Sequence, residues 1–201
     1  LEVNVPLLRA PDPNDAPTTG FNAVVQSAVD EMTSAFVKDL ELYPPDPAFT
    51  AGTTSFFLVN ATRFALTQRI VSLRLDVGGY VAGAAHPYSF SRTVNYDLQA
   101  NRELALADLF RPDEDYLTTI ADYSRTELEN TDFFAGFESG ADPIEENYRS
   151  WNWSAETPSL VITFDPYQVG PYAAGPQEIK IPIDNLNGLL DPAGPVGEFL
   201  P

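Results

Sequence analysis

The chain reads as an α+β domain, a mainly antiparallel sheet with two principal helices packed on it. Three observations predict this. Two stretches of helical period, Phe21–Leu40 and about Glu114–Glu129, are separated by runs of alternating apolar and polar residues. Those runs are broken by Gly, Pro and Asn-rich turns rather than by further helices. An apolar fraction of 44% in 201 residues is enough to bury a core.

Glu2–Leu8 alternates loosely and is expected to be a short first strand, followed by the irregular loop around Asp12, Asn14 and Asp15. The acidic loop raises a calcium alternative, but its spacing does not continue into the Gly and distal Glu of a calcium-binding helix-loop-helix. From Phe21 the residues Val25, Ala28, Met32, Phe36 and Leu40 form one stripe, with Thr18 or Thr19 placed to cap the helix. Burying that stripe contributes roughly 10 kcal/mol gross at ~1.5–3 kcal/mol per side chain. Pro44, Pro45 and Pro47 stop the helix, because proline lacks the N–H and clashes with the preceding turn.

Thr53–Asn60 and Phe64–Val77 give two or three strands. In the second, Val71, Leu73, Leu75 and Val77 face one way and Ser72, Arg74 and Asp76 face the other, so one face is expected to be wet. Gly78-Gly79 predicts a bulge or tight bend. The stretch Tyr80 to Pro87 leads into another strand through Phe90, Thr93 and Tyr96, and Asn95–Phe110 reads as strand end, polar turn, short strand and docking turn. The second helix is expected to be capped by Asp113, and Asp142-Pro143 opens a short helix through Tyr148. Trp151–Trp153 returns as a strand with both indoles on one face, opposite Asn152. Leu160–Phe164 and Glu178–Ile183 are strands flanking a loop that holds Tyr167 and Tyr172, and the Gly/Pro-rich tail after Asn187 is expected on the surface.

Composition narrows the function classes. The net charge is −18, with 6 Lys or Arg against 10 Asp or Glu up to residue 100 and 5 against 19 beyond it. Such a charge repels phosphate backbones and anionic lipid, so nucleic acid is not an expected partner and a cationic protein is. No apolar run approaches the ~18 residues of a membrane span, so membrane insertion of this segment is not expected, and the start lacks the basic-then-apolar order of a signal peptide. Cysteine is absent, which removes disulfides and thiolate metal sites. His86 is the one histidine, so a histidine-based metal site is not expected, and neither a phosphate loop nor a nucleophile elbow follows the glycines. No cofactor is expected.

Four motifs resemble one known family in order and spacing: Tyr80-x-x-Gly83-x-Ala85-His86-Pro87, Asn95-Tyr96-Asp97-Leu98, Leu106-x-Asp108-Leu109-Phe110, and Phe164-x-x-Tyr167-x-x-x-x-Tyr172-Ala173-Ala174-Gly175. Together they resemble the RsiV-like domain, found in the extracellular part of lysozyme-sensing anti-sigma factors and beside the catalytic domain of some peptidoglycan deacetylases. The resemblance covers about residues 80 to 186, and the region before it looks like the companion module that precedes that domain. It departs from the family where a paired glycine before Ala-His is Gly83-Ala84 and where the turn after Asp97-Leu98 is Gln-Ala-Asn-Arg.

The resulting division is a companion module over 1–78, the RsiV-like domain over 79–186 and a tail over 187–201, with the two modules folding as one unit. The resemblance implies an extracellular or envelope-exposed, non-enzymatic binding domain whose ligand is a cationic protein such as lysozyme or a cell-wall glycan. His86, Tyr167, Tyr172, Tyr80, Trp151 and Trp153 are the candidate ligand-binding residues, because exposed aromatic faces stack on sugars and anchor protein partners. The alternative is an envelope hydrolase of esterase or amidase type with His86 as general base, drawing on Ser89 or Ser91 and on Asp97 or Asp165.

Overall fold

The computed structural model describes residues 1–44, 50 and 52–200. Pro45 and Pro47, expected to end the first helix, lie outside the described residues. The strands are β1 (Glu2–Asn4), β2 (Phe56–Leu66), β3 (Ile70–Tyr80), β4 (Tyr88–Asp97), β5 (Arg102–Glu103), β6 (Trp151–Ser154), β7 (Ser159–Phe164) and β8 (Gln177–Pro182). The helices are α1 (Ala16–Leu42), α2 (Tyr116–Leu128) and the single turn α3 (Ile183–Leu186). The fold is α+β, as the alternation and the two helical periods require.

The strands form two sheets where one was expected. Order in the first is β1-β2-β3-β4-β5, antiparallel except for the parallel β1–β2 pair, and in the second β6-β7-β8, antiparallel throughout. Both faces of the first sheet are covered. On one, α1 lays Phe21, Val25, Ala28, Val29, Met32 and Phe36 against the sheet. Phe36 stacks on Phe57 at 5.0 Å between ring centroids, and Phe21 meets Tyr96 edge-on at 5.8 Å.

The opposite face was expected to be wet; it is buried at Ser72, mostly covered at Arg74 and open only at Asp76, whose side chain is 41% exposed. The second sheet covers it through a polar seam: the Ser72 hydroxyl donates to Asn95 Oδ1 at 2.6 Å and accepts from Asn152 Nδ2 at 2.9 Å and from the Trp153 main-chain N–H at 3.1 Å. Asn95 Nδ2 donates to the Trp151 carbonyl at 2.7 Å. Ser72, Asn95 and Asn152 are all buried, so alternation along β3 separates an apolar buried face from a hydrogen-bonded buried face. Further along the strand, the Arg74 guanidinium crosses to Thr163 and Glu178 at 3.0 and 2.7 Å.

Four local expectations change. Asp15, rather than Thr18 or Thr19, caps α1 by accepting from the Thr18 N–H at 3.0 Å, and Asp12 accepts from the Asn14 N–H, so the acidic loop is occupied with turn and cap bonds. Asp115 caps α2, whereas Asp113 takes φ +65° outside the helix. Gly78 and Gly79 stay in regular register with β2 and β4, and the irregularity sits at Arg63–Ala65 instead. Gly79 is small because the Tyr88 ring lies over it: a Cβ there would fall 2.4 Å from the ring.

The last change is the tail. Leu190 and Val196 are fully buried in the core of the second sheet, and Leu190 bridges to Phe110. Arg69 donates to the Ala193 and Gly194 carbonyls at 3.1 and 2.6 Å while its Nε holds Asp97 at 3.1 Å, fastening the tail to the start of β3.

Candidate functional site

Two turns that carry the unusual motifs meet at one end of the molecule. The first is the β3–β4 connection. Gly83 sits there at φ +98°, a left-handed conformation that glycine adopts without steric cost. The Tyr80 hydroxyl lies over the turn, 3.3 Å from the Ala84 carbonyl, and the Tyr80 ring leans on Phe56 at 6.2 Å. The second is the β7–β8 connection, whose Tyr172–Ala174 forms a single 3-10 turn closed by Gly175 at φ +68°.

The Tyr172 hydroxyl donates to the Pro87 carbonyl at 2.7 Å, and His86 Nδ1 lies 2.7 Å from the same oxygen. A carbonyl only accepts, so Nδ1 carries the proton in this contact and the exposed ring presents Nε2 outward. The His86 and Tyr172 rings are 4.4 Å apart and inclined by 34°, and Tyr167 follows at 5.5 Å from Tyr172. The three rings form a short ladder, half-buried at Tyr172 and open at His86 and Tyr167.

Tyr167 is 58% exposed and held at φ +73°, a conformation that bulky side chains rarely adopt. The residue after it supplies the restraint. Gln168 Nε2 donates to the Gly140 and Asn147 carbonyls at 3.1 and 2.9 Å, and Gly140 passes so close that a Cβ would fall 1.8 Å from the Gln168 carbonyl oxygen.

Of the six residues singled out in the sequence, the structure brings together His86, Tyr172 and Tyr167, with Tyr80 in the same turn as His86. Trp151 and Trp153 lie apart from them, 4% and 0% exposed in the core between β7 and the C-terminal segment, where Trp153 meets Phe199 at 5.7 Å. Alternation places both indoles on one face, as read from the sequence, and that face points inward.

The hydrolase constellation is not assembled. Among the described residues the His86 ring bonds to Pro87 alone, Asp165 Oδ1 accepts from the Ser91 main-chain N–H at 2.9 Å, and Asp97 is held by Arg69 and by the Gln99 and Ala100 N–H groups. A general base needs its partner within hydrogen-bond reach, and neither serine nor carboxylate is there. No group of three or more metal-binding side chains occurs among the described residues.

Sequence reasoning missed the cleft beside the ladder. A cavity of about 570 Å³ runs between α1 and the outer edge of β4, lined by Glu31 and Asp39 on the helix, by Arg92, Arg149 and Asp165 across from them, and by Met32, Phe36, Phe57 and Phe90. Burial raises the Asp165 carboxyl above its ordinary range, against the lowering effects of its bonds to Ser91 and of Arg149 and Arg74. No local pattern announces this cleft, since its charged groups come from four separate segments.

Residues 107–184 match the family described as "Protein of unknown function (DUF3298)". Over 112 residues the chain is 30% identical to the peptidoglycan-N-acetylmuramic acid deacetylase PdaC of Bacillus subtilis, a match that takes in 54% of this chain and 24% of that protein. The chain thus spans about a quarter of the length of that relative. Two crystal structures share the fold. A DUF3298-family member from Bacteroides fragilis has a TM-score of 0.62 at 20% identity, covering 94% of this chain and 83% of the other. One from Pseudomonas aeruginosa has a TM-score of 0.58 at 21% identity, covering 90% and 81%.

Proposed function

We propose that this is a non-catalytic cell-envelope domain of the RsiV-like kind that holds cell-wall glycan on the His86–Tyr172–Tyr167 ladder. The observation that carries the reading is Tyr167, an exposed aromatic kept in a strained backbone conformation beside two stacked rings. Strain at a largely exposed side chain costs stability, and such costs concentrate at ligand sites. Aromatic faces stack on the apolar faces of sugar rings, and the ladder offers three in a row. Support for the envelope comes from the relative whose name states that it acts on peptidoglycan.

The experiment is titration with a soluble β-1,4-linked N-acetylglucosamine hexamer, followed by calorimetry or by the ring resonances of Tyr167 and Tyr172. Saturable binding that is lost in Tyr172→Ala supports the glycan reading, and absence of binding sinks it. The net charge of −18 favours a second reading, in which a cationic protein such as lysozyme is the ligand. Lysozyme binding at low salt that vanishes at high salt, with no response to the glycan, would put that reading first.

A further inference from the structure

The cleft between α1 and β4 has two carboxylates on its helix wall and two arginines, with the half-buried Asp165 beside them, on the other. Glu31 and Asp39 belong to the exposed side of α1, while Arg92 and Arg149 stand across from them on β4 and on the segment leading into β6. Among the described residues no ion pair spans the gap: Arg92 pairs instead with Glu103 at 3.3 Å, and the Arg149 guanidinium makes no hydrogen bond or ion pair. Arg149 is exposed to the cleft, and the charge it acts on there is the Asp165 carboxyl, whose ionised form it favours. The floor is apolar, from Met32, Phe36, Phe57 and Phe90, and the volume of about 570 Å³ falls in the range of small-ligand sites.

The wall behind the cleft is a sheet edge covered by side chains. β4 pairs with β5 only at Tyr96 and Asp97, so among the described residues its outer edge from Tyr88 up to Asn95 has no strand partner. Side chains take the place of one: Asp165 accepts from the Ser91 N–H at 2.9 Å, the Ser150 hydroxyl reaches the Ser91 carbonyl at 3.5 Å, and Arg92 donates to the Thr93 carbonyl at 2.6 Å. Asp165 and Ser150 thus satisfy the Ser91 main-chain groups on this edge, and the wall that faces the cavity is made of side chains.

We propose that this cleft binds a short zwitterionic peptide, its carboxylate held by Arg149 and Arg92 and its ammonium group by Glu31 and Asp39. Two charges fixed on opposite walls select a ligand carrying both, at a matching separation, and reject one carrying either alone. The charge pattern stands by itself. The choice of a wall-derived peptide as the natural source rests on the envelope reading above, because peptidoglycan strands carry short peptides with free amines and carboxylates.

The test uses the tripeptide L-alanyl-γ-D-glutamyl-L-lysine as probe, beside the same peptide acetylated at its amines and amidated at its carboxylates, measured by calorimetry on the whole chain. The zwitterion is expected to bind and the neutralised peptide to bind at least about tenfold more weakly. Arg149→Gln and Glu31→Gln, both at exposed positions where folding is preserved, should each weaken the zwitterion by about tenfold and leave the glucosamine hexamer unaffected. Tyr172→Ala should leave the tripeptide unaffected. Equal binding of the two peptides, or no effect of either charge substitution, overturns the proposal. Hexamer binding without tripeptide binding removes the cleft and spares the ladder; the reverse outcome removes the ladder and spares the cleft.

Discussion

The Tyr172 hydroxyl donates to the Pro87 carbonyl at 2.7 Å across 85 positions of sequence, and this bond sets the geometry of the aromatic ladder. It holds the β7–β8 turn against the turn before β4, so that His86 and Tyr172 meet at 4.4 Å. Tyr172→Phe keeps the ring and loses a partly solvated hydrogen bond, worth about 1 kcal/mol. Glucosamine-hexamer affinity should fall within about fivefold in Tyr172→Phe and at least about tenfold in Tyr172→Ala. Equal affinities in the two variants would place the glycan elsewhere.

Tyr167 supplies a complementary case. A residue at φ +73° is relieved by glycine, so Tyr167→Gly should hold or raise thermal stability, by up to about 1 kcal/mol, while weakening the hexamer. The opposite result, stability lost and binding kept, would make the ring a structural prop.

Ser72 joins the two sheets with one hydroxyl that donates once and accepts twice. Ser72→Ala leaves the Trp153 N–H and Asn95 Oδ1 without their partner in a buried seam, and unpaired buried groups cost ~1–3 kcal/mol each. The variant is expected to lose about 3 kcal/mol in urea unfolding. A loss below about 1 kcal/mol would show that water or a rotated Asn95 replaces the hydroxyl.

The same seam shows what was legible in the sequence. Period and alternation located both long helices, the strands and the buried stripe of α1, because those signals are local. Ser72 and Arg74 misled because a polar residue alternating with apolar ones reads identically whether its face meets water or another sheet. The pairing of the two motif turns was a matter of which loops meet in space. The sequence pointed to them through His86 in one and Tyr167 and Tyr172 in the other, whereas Arg149, in an ordinary acidic-helix context, carried no such signal.

Leu190 was masked by its neighbours, Gly188 and Pro192, which suggested a surface tail. Its side chain is fully buried and its backbone bridges to Phe110, so Leu190→Ala removes a core contact in a segment that cannot close around the void. The expected cost is about 3 kcal/mol in urea unfolding. Stability unchanged by the substitution would mean that the tail does not contribute to the core.

Asp165 titrates in the cleft with its carboxyl raised by burial. When the folded-state value lies above the unfolded one, the folded chain binds the proton more tightly, so this group's contribution is fully present below the ordinary carboxylate range and is lost as pH rises through the raised value. Asp165→Asn keeps an oxygen for the Ser91 N–H and removes the desolvated charge. Its melting temperature should therefore exceed that of the parent at pH 7, and the gap should close as pH falls below about 4. A gap that widens toward acid would mean that Arg149 and Arg74 outweigh the burial, with the carboxylate held in its charged form. In that case the arginine wall of the cleft would already be partly engaged by Asp165 rather than free for a ligand carboxylate.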